Sequence, residues 1–195
     1  MNTTTDRERT VETTPSLGRD QWKTHPRFPS QTLLLGSHEN FRNVSEVLVE
    51  EAAAGGFVRP IGSLYRRWIA AMRSHEAYEE GKLYPYLERR WKTSLEAAEE
   101  GHQELHAAHD VVMETLAEAR ADDEPHAGEA LHAALRRHDD VLRTHLDLEE
   151  DLVIPLLLEL SPQEFVEYYD KPIDVLLRRL DERSMNTEAD HGQTG

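Results

Sequence analysis

Two stretches of this chain combine residue types that bind cations. They run from His75 to Pro85 and from His145 to Pro155, and each reads His-x-x-x-Glu-Glu-x-x-x-x-Pro. The His, both Glu and the Pro recur at one constant offset. On a helix, positions i and i+4 are neighbours, so His75 and Glu79 share one direction, as do His145 and Glu149. That direction is predicted to be inward. Leu64, Trp68, Met72, Leu83 and Tyr86 fall on the stripe of His75, and Leu142, Leu148 and Leu152 on that of His145. An imidazole and a carboxylate on a core-facing stripe are costly to desolvate unless something compensates them. One copy alone reads as a hydrogen-bonded His–Glu pair in a core. Two copies at identical spacing point to a bound cation, and His with Glu is a ligand set for iron, manganese or zinc.

The composition narrows the function further. The net charge is −16, from 38 acidic against 22 basic residues, and only four of the basic residues are lysine. Phosphate binding needs a basic face, so neither nucleic acid nor an anionic membrane is an expected partner. No cysteine is present, which excludes disulfides and thiolate metal sites. The N-terminal residues lack an apolar signal core and no later run is long enough to span a bilayer, so a soluble, cytoplasmic protein is expected. Eleven histidines are many for 195 residues, and their placement carries most of the information.

Four amphipathic helices must position these groups. Residues 1–29 form a mobile N-terminal arm, with Trp22 and Phe28 pinning its last part. Ser30 caps a first helix from Gln31 to Ala54, with Leu34, His38, Phe41, Leu48 and Ala52 on one side, and Gly55-Gly56 stops it. Pro60 fits the first turn of a second helix through Trp68, Met72, His75 and Glu79. Pro85 kinks or ends that helix, with another turn through Trp91. Thr93 or Ser94 opens the third, whose stripe holds Leu95, His102, Leu105, His106, His109, Met113 and Leu116. The segment from Asp122 to Pro125 is a turn, and the fourth helix runs to about Leu160, perturbed at Pro155. Short connections between four such helices imply an all-α, up-down-up-down antiparallel four-helix bundle over residues 30–160. Ser161-Pro162-Gln163-Glu164 is a capping box opening a short helix, and Pro172 starts another. These C-terminal helices, 161–183, pack on the bundle or on a second copy in a homodimer. Residues 184–195 read as a disordered tail.

Helix lengths place the histidines at common depths. His38 and His75 each lie 16 residues from the first turn, about 24 Å along the helix axis. His102 and His145 each lie 20 residues from the second turn, about 30 Å.

The resulting layer holds His38, His75, Glu79, His102, His145 and Glu149, with His106 one turn beyond His102. This arrangement, H…HxxxE…HxxxH…HxxxE with Glu-Glu doublets and downstream prolines, resembles the hemerythrin-like family, the HHE cation-binding domain. The resemblance covers about residues 30–160. It implies a non-haem centre of two irons, carboxylate- and oxo-bridged. Glu79 and Glu149 are the implied bridges, His38 and His75 the ligands of one iron, and His102, His106 and His145 those of the other. Oxygen-carrying members place the last carboxylate at His+5, here Glu150, whereas the wider family uses His+4, Glu149. A six-ligand site completed by water or Glu76 is the alternative to ligation by His106.

The resemblance implies binding of dioxygen or another small diatomic such as nitric oxide, for storage, delivery or sensing. A catalase-like enzyme consuming hydrogen peroxide and an iron-sensing regulatory domain are the alternative functions. The remaining histidines are expected to be structural or solvated. His109 lies behind the layer, His138 hydrogen-bonds within the bundle, and His25, His126, His132 and His191 face water. The pairs Glu99–His102 and Glu129–His132 repeat the Glu-x-x-His of di-iron carboxylate bundles. They fall on consecutive helices, however, with His132 more than three turns from the layer, which excludes that arrangement.

Overall fold

The computed structural model describes residues 14–28, 32–121 and 126–192. Among them all regular structure is helical, apart from one isolated antiparallel bridge between Phe57 and His126. No helix among them is long and apolar enough to cross a membrane.

Four long helices enclose the core. The first, α2 (Thr32–Ala53), follows a short α1 (Arg19–Trp22) in the arm. The expected Ser30 cap and the first helical residue Gln31 lie outside the described residues. Gly55 ends α2 in the left-handed region at φ 71°, where a side chain would strain the backbone. Helix α3 (Val58–Tyr78) starts two residues before Pro60, which costs nothing because first-turn N–H groups have no helical partner. At Pro85 the chain stays helical. It passes through a π-helical segment (Glu79–Leu83) into α4 (Tyr84–Trp91). Pro85 has no N–H for an i−4 carbonyl and its ring crowds that turn, and a wider turn relieves both.

Lys92 then takes φ 51° and ends α4. Glu88 Oε1 accepts from the Leu95 N–H at 2.7 Å and Ser94 Oγ from the Glu96 N–H at 3.2 Å, which opens α5 (Glu96–Ala121). Residues 122–125, the expected turn, lie outside the described residues. Helix α6 (Glu129–Leu158) carries Pro155 without a break, at the start of its last turn. Its last carbonyls find a donor in Arg27, whose guanidinium bonds the carbonyls of Leu158 and Leu160.

Helix α2 packs on α3 and α6, and α5 on α6 and α3, so the four form a closed ring. The α2–α3 connection meets the residues leading into α6: the Ala127 N–H donates to the Gly56 carbonyl at 2.8 Å. Phe41, Tyr65, Trp68, Met72, Leu105 and Leu142 are buried inside the ring. Leu148, expected on the inward stripe, is 40 % exposed instead, since it stands about 60° round the helix from His145 on the side away from Glu149.

Helices α7 (Pro162–Asp170) and α8 (Ile173–Gly192) pack with α4 against the C-terminal part of α6, around Leu87, Leu157, Tyr168 and Leu176. The predicted capping box is present: Ser161 Oγ accepts from the Glu164 N–H and Glu164 Oε2 from the Ser161 N–H. Helix α8 runs past residue 183, where the sequence reading places the end of order. In the arm, Trp22 is buried against Ile154 and Leu158, a burial worth roughly 2–3 kcal/mol. Residues 1–13 lie outside the described part of that arm.

Candidate metal centre

Each long helix delivers one histidine to a single depth of the ring, and α6 and the start of the π segment add carboxylates. His38, His75 and Glu79 form one group whose donor atoms all lie within 4.8 Å of one another. His102, His145 and Glu149 form a second group on the same criterion. His38, Glu79 and Glu149 are fully buried, and His102 and His145 nearly so.

The two groups share their carboxylates. Glu79 Oε1 lies 2.7 Å from His75 Nε2 and 3.9 Å from His38 Nε2, while Oε2 lies 3.5 Å from His102 Nε2. Glu149 Oε2 lies 3.7 Å from His145 Nε2 and 3.5 Å from His38 Nε2. Despite these approaches, none of the four carboxylate oxygens has a hydrogen-bond partner, and His102 Nε2 has none either. The Nε2 atoms of His38 and His75 face each other at 3.0 Å.

Without a cation the groups must share protons instead. Burial works against charge on His38 and on His102, but the neighbouring carboxylates outweigh it and raise both to about 9. Burial also opposes ionisation of Glu79, yet the imidazoles of His102, His38 and His75 hold its pKa far below the usual range. Burial and the charge of Glu79 push Glu149 up. His145 falls to about 3, through burial and the positive charge of His102. One pair of carboxylates is thus driven apart in pKa, the expected result when two anions share a dry site without a cation. Converging, unpartnered oxygen and nitrogen donors at the centre of the helices could hold metal.

The comparison with known families adds a match over residues 31–157 to the hemerythrin HHE cation-binding domain. This chain belongs to that family. No curated protein and no solved structure matches it.

Within this hemerythrin-like domain, each Glu-Glu doublet divides its labour. The first Glu of each doublet points into the centre. The second holds the Nδ1 of a histidine on another helix: Glu80 Oε1 lies 2.8 Å from His102 Nδ1, and Glu150 Oε1 lies 3.1 Å from His38 Nδ1. A histidine held at Nδ1 presents Nε2 at a fixed angle, with its basicity raised. Glu150 is in turn gripped by Arg42 at 2.7 Å and by Arg19 of the arm at 3.0 Å. Burial opposes its charge, but His38 and Arg42 outweigh burial and lower it to about 2. The roles of Glu80, Glu150, Arg19 and Arg42 were not read from the sequence; the doublet itself was the available signal.

Two further neighbours escaped the sequence reading. Gly101 lies against His145 so closely that a Cβ there would stand 2.3 Å from His145 Nδ1. Tyr84 stacks on His102 with ring centroids 5.9 Å apart, and its buried hydroxyl has no partner.

The structure does not bring His106 into either group. Its side chain is 47 % exposed, and its Nε2 lies 2.8 Å from Glu76 Oε2. His109 Nδ1 lies 3.1 Å from the Tyr65 hydroxyl. His138 is buried against Tyr65 and Trp68 with its Nε2 unpartnered, so the expected hydrogen bond is absent at that atom. His126 is exposed and His132 half-buried, whereas His25 is partly covered, 3.5 Å from Glu159. The side chain of His191 lies outside the described residues.

Proposed function

We propose that this protein holds a non-haem di-iron centre inside an up-down-up-down bundle and binds a small diatomic ligand there, dioxygen above all. The observation that carries this reading is the shared position of Glu79 and Glu149. Each approaches imidazoles of both three-residue groups, and neither spends an oxygen on a hydrogen bond. Two bridging carboxylates offset part of the charge of two cations, and neutral imidazoles fill further positions without adding charge. His38, His75 and Glu79 would hold one cation and His102, His145 and Glu149 the other, with room in the chemistry for a small ligand. Two ferrous ions held there would supply the electrons that reversible dioxygen binding needs.

The chain's own residues set the conditions. Glu80 and Glu150 aim His102 and His38, the apolar layer of Phe41, Met72, Leu105 and Leu142 keeps water from the inner side, and Gly101 makes room for His145. The test is the absorption spectrum of aerobically purified protein together with metal analysis. Two irons per chain and a ligand band that changes on deoxygenation support the reading. Full iron content retained in both Glu79→Ala and Glu149→Ala would sink the assignment of the bridges.

A second reading, disproportionation of hydrogen peroxide at the same centre, has one observation in its favour. The phenol of Tyr84 is buried near Glu149, where burial and the carboxylate charges keep its proton on, so its free hydroxyl can donate a hydrogen bond to a peroxide oxygen there. Oxygen evolution from peroxide that falls in Tyr84→Phe, with iron content unchanged, would favour the enzyme over the carrier.

A further inference from the structure

The segment that precedes the family-matched region reaches the centre at one point. Residues 14–28 lie before that match, which begins at residue 31. Their contacts follow a stripe of α6 at i, i+4 and i+8: Arg19 meets Glu150, and Trp22 packs against Ile154 and Leu158. Arg27 closes the far end on the carbonyls of Leu158 and Leu160. Trp22 is 5 % exposed, and its Nε1 donates to the Leu17 carbonyl at 3.0 Å. The Arg19 guanidinium stands 5.2 Å over the Trp22 ring, so the buried indole fixes where Arg19 starts from.

From that base the guanidinium spreads over one turn of α6. Nε donates to Asp151 Oδ1 at 2.6 Å, Nη1 to Glu150 Oε2 at 3.0 Å and Nη2 to the Asp147 carbonyl at 2.5 Å. Of these three residues Glu150 alone is buried, and it is the one that touches His38. Its two oxygens are divided between partners. Oε1 meets His38 Nδ1 at 3.1 Å and Arg42 Nη1 at 2.7 Å, whereas Oε2 meets Arg19. A carboxylate held at one oxygen can pivot, because its terminal torsion is broad. Arg42 cannot stop the pivot, since it shares Oε1 with His38. Arg19, on the opposite oxygen, can.

We propose that Arg19 is a positioning residue of the centre: by fixing the second oxygen of Glu150 it keeps His38 aimed inward and slows the loss of bound metal. This rests on the reading of the buried groups as a metal centre. Arg19 itself touches no group that would hold the metal, and its effect travels through Glu150 alone. The attachment and the effect are separate in this arrangement. Trp22 and Arg27 hold the arm on α6, while Arg19 turns that attachment into a fixed carboxylate plane. A segment outside the family domain thereby sets how firmly the domain keeps its ion.

The test is release of cobalt(II) from loaded full-length protein into excess chelator, followed by the decay of its ligand-field absorption. Arg19→Met, which keeps an aliphatic stem against Trp22, should release about tenfold faster, the lower end of what losing such a supporting contact costs. Its ligand-field band should shift, since His38 no longer sits at one angle. In a Glu150→Ala background the same substitution should change nothing further, because the effect passes through that carboxylate. Metal-free Arg19→Met should melt within about 3 °C of wild type, since a half-exposed ion pair contributes little to stability. Unchanged release and spectrum in Arg19→Met would overturn the proposal. Equal acceleration with and without Glu150 would also overturn it, because the arm would then be a general brace of the fold. Wild type that takes up no cobalt would overturn the metal reading together with the proposal, an outcome distinct from both.

Discussion

His38 is held by Glu150, a residue 112 positions away: Nδ1 lies 3.1 Å from Oε1, and both side chains are buried. The partner carboxylate is the second Glu of the doublet on α6, not the one that points into the centre. It also ties the N-terminal arm to the centre, since Arg19 donates to Glu150 Oε2 and to the Asp147 carbonyl.

Glu150→Ala should therefore weaken cation binding without removing a donor from the centre. The ring of His38 loses the contact that sets its angle, and such losses typically cost about 10–100-fold in metal affinity. Titration of metal-free protein with a divalent ion measures the change. Affinity within twofold of wild type would mean that packing alone orients His38.

Gly101→Ala tests the contact with His145. At an open helix position this substitution stabilises by up to about 1 kcal/mol. Here the new methyl group would stand 2.3 Å from His145 Nδ1, so His145 or α5 must shift. The variant should lose metal affinity and melt below wild type. Gly36→Ala on α2, where a Cβ meets nothing within 4 Å, is the control and should melt slightly higher.

Metal uptake should release protons at neutral pH. In the cation-free protein His38 and His102 titrate at about 9, so both are charged at pH 7.5. Coordination requires neutral imidazole and ionised carboxylate, and Glu149 is pushed up to about 8, so loading expels the protons of His38, His102 and Glu149, about three per chain, visible as acidification of a weakly buffered solution. The release should fade above pH 9, and affinity should rise with pH up to that point. The sign for stability follows. A raised histidine pKa stabilises the cation-free fold fully below pH 6.5, and that contribution is lost as pH climbs through 9. Melting of the loaded protein should lack this alkaline loss.

His138 should make the fold acid-sensitive in the opposite direction. Burial, with a smaller contribution from the charge of His109, lowers it to about 4, and Tyr65 and Trp68 enclose it. Between pH 6.5 and 4 the unfolded chain takes up a proton that the folded one refuses. Stability is present above 6.5 and falls by roughly 3 kcal/mol by pH 4. His138→Leu should melt near wild type at pH 7 and above it at pH 4.5. Equal acid losses in both proteins would assign the sensitivity to other groups.

The helical elements and the inward residues were legible in the sequence because both follow from local rules. Periodicity near 3.6 places His75 with Glu79 and His145 with Glu149 whatever surrounds them. Gly55 and the Ser161–Glu164 box mark boundaries through backbone geometry alone. Equal arm lengths on either side of a turn bring His38 level with His75, since rise per residue is constant. Repetition of one motif then made a shared cation the economical explanation.

What only the tertiary structure decided concerns groups whose partners lie on other helices. His106 shares the face of His102 by spacing, yet its Nε2 meets Glu76 of α3 and its side chain stays 47 % exposed. The second Glu of each doublet is one residue, about 100°, away from the inward position, so its role depends on which neighbouring helix stands there. The repeat itself is treated differently in its two copies. Pro85 follows a π turn, whereas Pro155 lies within an unbroken α-helix. Local spacing sets a side chain's direction on its own helix; which atom it meets there is set by the packing of all four.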